Sequence, residues 1–125
     1  MFSPRAFFRS VRYAIRGLWF VFWHEHSFRV QIFVALSVVV AMLYFPLSMW
    51  ERVALLLLIT AVLVLELINS VFERISDGLK PRLHPMVKDI KDIMAGAVFL
   101  SSLVAAIIGI LIFWPYLQAL YTVVF

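Results

Sequence analysis

Four polar residues recur on one side of an apolar stretch in the middle of the chain. They are Glu66, Asn69, Glu73 and Asp77, and they are called the polar stripe below. Spacings of three, four and four place them within an arc of about 80° on a helix. Glu66 lies deepest in the apolar sequence, where burial disfavours its ionised form, so it is a candidate general base. Glu73 is a candidate cation ligand, whereas Asp77 is equally explained by pairing with lysines or water.

A second charged group directly precedes the last apolar stretch and consists of Lys88, Asp89, Lys91 and Asp92. Such a run is often only a solvated collar where a helix leaves the bilayer. Here small residues follow at 95–97, and they let a backbone or a phosphate come close. A third piece, Glu25 with Arg29, stands just before the first apolar stretch and is expected at the same depth as the polar stripe.

These residue types are compatible with phosphoryl transfer, but composition and spacing alone predict only an acidic, metal-binding site at a membrane face. Carboxylates bind a divalent cation and neighbouring cations hold phosphate, which is what that chemistry needs. The four glycines form neither GxxxxGK[ST] nor GxGxxG, so any nucleotide site must be unconventional. The absence of cysteine excludes a disulfide framework, a thiolate metal site and a Cys nucleophile.

The composition identifies the medium in which these residues act. Of the 125 residues 65% are hydrophobic and only 14% charged, with a mean hydropathy of +1.03, which excludes a soluble globular domain. Three apolar stretches, about 30–49, 53–72 and 93–114, are each long enough to span a bilayer. We predict an all-α membrane protein, a single membrane domain over 1–125, with no room for a soluble catalytic domain.

The segment 5–23 has a different pattern. Arg5, Arg9, Arg12 and Arg16 recur at spacings of four, three and four and share one narrow helical stripe, with aromatic and aliphatic residues on another side. This predicts an amphipathic interfacial helix lying in the headgroup plane ahead of the three spans. A signal peptide is the competing explanation, but arginines run through the segment and no small-residue cleavage site follows.

The distribution of basic residues predicts the orientation. Five arginines precede the first span, one lies between the first two, five Lys and Arg lie in the connection 74–92, and none follows the last span. Because basic residues are retained on the cytoplasmic side, the N-terminus and the connection 74–92 should be cytoplasmic and the C-terminus outside.

Small residues repeat every four positions along the last span, at Ala97, Ser101, Ala105 and Gly109. A repeat of this kind lets helix backbones approach closely in lipid. The last span should therefore face another helix, and a neighbouring subunit is one source of that helix.

The motifs resemble a known family. The segment 66–77, ELINSVFERISD, is followed by His84-Pro85 and by KDIMAGAV at 91–98, and EHSFR at 25–29 is similar to a Glu-x-x-Phe-Arg element. This combination resembles the prokaryotic diacylglycerol kinase and undecaprenol kinase family over nearly the whole chain. The resemblance implies homotrimers of three-span subunits with composite active sites, in which MgATP phosphorylates a lipid alcohol. It also implies a bacterial cytoplasmic membrane as the location.

The resemblance also implies roles for individual residues. Glu66 would be the general base for the lipid hydroxyl, Asn69 would position the reacting groups, and Glu25 and Glu73 would bind Mg²⁺. Nucleotide binding would fall to Asp77, Lys91, Asp92 and an arginine of the first helix, for which Arg9 is selected while Arg5 and Arg12 are alternatives. Some family members have an acidic residue where this chain has Gln31, so no nucleotide or metal contact is assigned there. His84 is assigned no chemistry.

Two other classes of function are compatible with parts of the sequence. A small proton-coupled transporter would also place a glutamate in a span, but it would not need Asn69, Glu73 and the Lys-Asp pair. A non-enzymatic assembly subunit would explain the small-residue repeat and the basic collar, yet it leaves the intramembrane carboxylates without a purpose. We therefore expect a lipid kinase.

Overall fold

The computed structural model describes residues 3–78 and 85–125, and regular structure within these ranges is α-helical throughout. The helices are α1 (Pro4–His24), α2 (His26–Tyr44), α3 (Met49–Gly78) and α4 (Pro85–Val124). The last three are long and apolar enough to cross a membrane. The predicted fold class, three spans preceded by an additional amphipathic helix, is confirmed.

α2 ends earlier than the predicted first span, whereas α3 and α4 are longer than the predicted second and third spans. α2 ends at Tyr44 rather than near residue 49, because Phe45 is extended and Pro46 cannot continue a helix hydrogen-bonding pattern. α3 has 30 residues and α4 has 40, so their lengths of roughly 45 and 60 Å exceed a hydrocarbon core of about 30 Å. Both helices therefore extend past the apolar spans, and their charged residues stand on regular helix instead of in the connection predicted over 74–92.

α1 and α2 are separated by one residue, Glu25, which has an extended backbone with φ −114° and ψ 112°. The last carbonyls of a helix lack intrahelical donors. Arg29 supplies them, since its Nη1 donates to the carbonyl oxygens of Phe22 at 3.2 Å and Trp23 at 3.0 Å. Phe28 beside it is buried. The Glu-x-x-Phe-Arg segment thus fixes the bend that presents Glu25.

The buried apolar cluster lies where α2 turns into α3. Met42, Leu47 and Leu55 form it, and Phe113 and Tyr116 of α4 pack against it. Most other large apolar side chains are exposed, as expected for helices covered by lipid. We call this region the turn end, and the opposite end of α3, which carries the polar stripe, the site end.

Candidate active site

The polar stripe of α3 faces inward at its deep end and is exposed at its other end. Glu66 and Asn69 are buried, with exposed fractions of 4% and 7%, whereas Glu73 is half-buried and Asp77 is exposed. A helix in lipid turns its polar residues away from acyl chains because an unpaired charge there is costly. Glu66 and Asn69 are therefore held against the other helices, as a site between them requires.

Glu66 has one direct side-chain partner among the described residues. Gln31 on α2 donates from Nε2 to Glu66 Oε2 at 3.2 Å, and the Oε1 of Gln31 is buried without a hydrogen-bond partner in the described part of the chain. Ser70 donates to the Glu66 backbone carbonyl at 3.0 Å. Glu25 and Glu73 both lie within electrostatic range of the Glu66 carboxylate. The candidate base is thus surrounded by like charges and one neutral donor.

One turn further along α3, Asn69 also uses its amide to donate to a glutamate while its amide oxygen stays unpaired among the described residues. Its Nδ2 donates to Glu73 Oε1 at 3.3 Å, while its own Oδ1 is buried and has no partner within the described ranges. Leaving a buried acceptor unpaired costs free energy, so such atoms are uncommon in folded proteins. Two of them beside two carboxylates provide acceptors that a hydrogen-bond donor or a cation could use.

Ion pairs connect this cluster to the neighbouring helices. Arg74 of α3 pairs with Glu25 at 3.3 Å and its guanidinium lies 4.4 Å from the centre of the Phe20 ring of α1. Lys91 of α4 pairs with Asp77 of α3 at 2.9 Å. Glu73 and Asp92 lie within electrostatic range of Lys91. Seven of the eight residues selected from the sequence are therefore brought to the site end.

The eighth, Arg9, is not brought there within one chain. It lies on the exposed face of α1 beside Arg12, Tyr13 and Arg16. Phe20, where Arg74 contacts α1, is eleven residues further along, or about 16 Å. His84 lies outside the described residues.

The oxygen atoms at the site end suit a hard cation. In the described ranges no three His, Cys, Asp or Glu side chains converge as a ready metal cage. Mg²⁺, however, is commonly held by one or two carboxylates together with substrate phosphates. Glu73, the unpaired Oδ1 of Asn69 and the nearby Glu25 supply such donors, so the residues present fit a metal that arrives with a nucleotide.

An apolar cleft of about 720 Å³ lies between α2, α3 and α4. It extends from Gln31, beside Glu66, toward Trp114 and Leu117 near the turn end. Ala105 and Gly109 of the small-residue repeat line it, and a Cβ added at Gly109 would meet nothing within 4 Å. The close helix contact predicted from this repeat is thus not made at Gly109 within one chain. An apolar ligand lying in the cleft would end beside the carboxylate.

Two residues at the site were missed by sequence reasoning. Arg74 entered only the count of basic residues, and Gln31 was noted only as a departure from the family pattern. Gln31 could have been predicted as a site residue, since burying an amide five residues into an apolar helix costs free energy unless the amide is hydrogen-bonded or functional. Arg74 carried none, because its partner is 49 residues away.

Comparison with known proteins gives a consistent result. A model of the prokaryotic diacylglycerol kinase family matches residues 12–113. The chain is 36% identical to the undecaprenol kinase of Bacillus subtilis over 109 residues, which cover 87% of this chain and 89% of that protein. It is 32% identical to the diacylglycerol kinase of Helicobacter pylori (91% and 86% covered) and 25% identical to that of Escherichia coli strain K12 (86% and 88%). The chain therefore belongs to the prokaryotic diacylglycerol kinase family of membrane lipid kinases.

Proposed function

We propose that this protein transfers the γ-phosphoryl group of MgATP directly to the hydroxyl of a membrane lipid alcohol at the cytoplasmic face of the membrane. The observation that carries the proposal is the position of Glu66. Its buried carboxylate lies at the junction of an apolar cleft and a cluster of acidic and basic side chains. Lipid can reach that carboxylate from the bilayer and nucleotide from the water.

In the proposed mechanism Glu66 accepts the proton of the lipid hydroxyl as its oxygen attacks the γ-phosphorus. Asn69 positions the reacting groups from the next turn of the same helix. In-line transfer needs little covalent help from the protein, so most of the rate gain comes from placing the two substrates and neutralising phosphate charge.

Glu73 and Glu25 would hold Mg²⁺, which when bound neutralises charge on the transferring phosphates. Glu73 is held toward the site by Asn69. Glu25 is paired with Arg74, so it must exchange that cation for the metal. Because the metal arrives with the nucleotide, Glu25 would release Arg74 and bind Mg²⁺ when the nucleotide binds.

Nucleotide would be held by Asp77, Lys91 and Asp92, with Lys91 neutralising phosphate. Arg9 is too far along α1 to join them within one chain, so we place it in the site of a neighbouring copy. The proposed assembly is a homotrimer with active sites shared between subunits. Ala97 and Ser101 of the small-residue repeat support it, since they do not line the apolar cleft and small residues let a neighbouring helix approach closely.

Two features favour a polyprenol over diacylglycerol as acceptor. The relative named undecaprenol kinase is more similar to this chain than the Helicobacter and Escherichia diacylglycerol kinases. Apart from the Trp114 indole, the polar side chains lining the cleft are those of Gln31 and Ser102. A prenol brings one hydroxyl and no ester carbonyl groups, so it leaves no carbonyl without a donor.

The test is a side-by-side assay of the purified protein in detergent micelles with radiolabelled ATP and Mg²⁺. Undecaprenol and diacylglycerol are presented at equal mole fraction, and labelled lipid is extracted and counted. We expect transfer to both, faster to undecaprenol. Transfer to neither alcohol would contradict the kinase, and faster transfer to diacylglycerol would contradict the acceptor preference alone.

A further inference from the structure

The two oxygens of the Glu66 carboxylate are in different situations. Oε2 accepts the hydrogen bond of Gln31, at 3.2 Å, while no described residue donates to Oε1. Oε1 also keeps some accessible surface, whereas the unpaired amide oxygens of Gln31 and Asn69 have almost none. One oxygen is held, and the other remains available to a hydroxyl.

The side chain of Gln31 makes no other hydrogen bond with the described residues. Its Oε1 is buried and unpaired, so the bond to Glu66 is the only polar contact that fixes the amide. Burying an amide in an apolar helix is costly, and one unpaired oxygen adds to that cost. Gln31 also lines the end of the apolar cleft, which places it between the cleft and Glu66.

The neutrality of Gln31 matters because of the charges around Glu66. Glu25 from the α1–α2 junction and Glu73 from α3 already face it, and Gln31 is its contact from α2. A neutral amide donates to a carboxylate oxygen and, more weakly, to the carbonyl oxygen of a carboxylic acid. Gln31 can therefore hold Glu66 in the same orientation before and after proton uptake, without adding negative charge.

We infer that Gln31 is the positioning residue of this kinase: it holds one oxygen of Glu66 and directs the other to the acceptor hydroxyl at the end of the lipid cleft. This inference rests on the proposed function. As the new oxygen–phosphorus bond forms, the hydroxyl proton passes to Glu66 Oε1 and the bond from the γ-phosphorus to the bridging oxygen of ADP breaks. Gln31 stays bonded to Oε2 throughout.

The test compares Gln31→Met, which keeps the length of the side chain but removes the donor, with Gln118→Met as a matched control. Gln118 is exposed on α4 near its end. We expect Gln31→Met to lower kcat by about tenfold to a hundredfold, the loss typical of a hydrogen bond to a charged group, with KM for MgATP unchanged. Gln118→Met should retain parental kcat. A parental kcat in Gln31→Met would overturn the inference.

A second variant, Gln31→Glu, keeps the size and polarity of the side chain and tests the role of its neutrality. A third carboxylate facing Glu66 makes the ionised base harder to form, so the pH–activity curve should move to higher pH than in the parent. A merely structural role would alter thermal unfolding and leave both the pH profile and the kcat of folded protein unchanged. An unshifted profile in Gln31→Glu would therefore also overturn the inference.

The same preparations separate this inference from the proposed function. If the parent transfers no phosphate, or if Glu66→Gln is as active as the parent, the proposed function fails. If the parent is active and Glu66→Gln is not, the function stands. The two Gln31 variants then decide the positioning role by themselves.

Discussion

Glu51 and Glu66 lie on the same helix, α3, fifteen residues apart, and their surroundings differ. At the turn end Glu51 accepts hydrogen bonds from the Tyr116 hydroxyl at 2.7 Å and from the Ser48 amide at 3.3 Å, and its own amide donates to Ser48 Oγ. At the site end Glu66 accepts a single side-chain hydrogen bond, from Gln31, and the amide oxygens of Gln31 and Asn69 beside it are buried and unpaired in the described ranges.

The difference teaches how to tell a structural polar cluster from a functional one. The polar groups of the turn end pair with one another: Ser48 and Glu51 form a capping box, and Arg52 donates to the carbonyl oxygens of Leu47 and Phe45, which close the turn. Such a cluster stabilises the fold, and within the described residues it contains no buried side-chain acceptor that lacks a donor. The site end has unused acceptors and concentrated negative charge, which cost stability unless a substrate or a cation uses them.

The comparison is tested most strongly by making the same chemical change at both ends. We expect Glu66→Gln to reduce turnover by about 10²- to 10⁴-fold, as removal of a general base does, while its thermal unfolding stays close to that of the parent. Glu51→Gln should do the reverse, lowering the unfolding temperature and leaving kcat of the folded protein near the parental value. Turnover and thermal unfolding in the same detergent measure both. Equal activity of Glu66→Gln and the parent would refute the assignment of the base.

A smaller effect is expected for Glu73→Gln. Removing one charged oxygen ligand should raise the Mg²⁺ concentration for half-maximal activity by at least about tenfold, with activity recovered at high magnesium. The measurement is a Mg²⁺ titration at fixed total ATP. Asp89→Asn, an exposed acidic position on α4, serves as the matched control and should titrate like the parent. An unchanged requirement in Glu73→Gln would remove this residue from the metal site.

The smallest effect concerns the tie between α3 and α4 at the turn end. Tyr116→Phe removes only the hydroxyl that donates to Glu51, so the unfolding temperature should fall by a few degrees while KM for MgATP and kcat stay unchanged. Tyr121→Phe, on an exposed position of the same helix, should not alter unfolding. A loss of activity in folded Tyr116→Phe would show that the two ends are coupled, contrary to the contrast drawn here.

Much of the architecture could be predicted because it depends on local pattern and on the solvent. The apolar stretches, the arginine stripe of α1 and the three-four-four spacing of the polar stripe each follow from neighbouring residues. Helix ends were less predictable. α3 and α4 continue through charged residues because a helix that has left the hydrocarbon core needs no apolar sequence to persist.

Partners could not be predicted in the same way. Nothing near Gln31 in the sequence indicates Glu66, and nothing near Glu25 indicates Arg74, since these contacts join residues 35 and 49 positions apart. The capping box Ser48–Glu51 was not predicted above, although its spacing is local, and Tyr116, which donates to the same Glu51 oxygen, comes from another helix.

By itself, then, the sequence determined that this protein is a helical membrane protein with carboxylates along one face of its second span, because hydropathy and helical periodicity act over a few turns. Only the tertiary structure decided at which end the polar groups pair with one another and at which end buried acceptors are left unpaired. That outcome depends on how α2 and α4 pack against α3, and packing brings together side chains whose distance along the chain carries no signal.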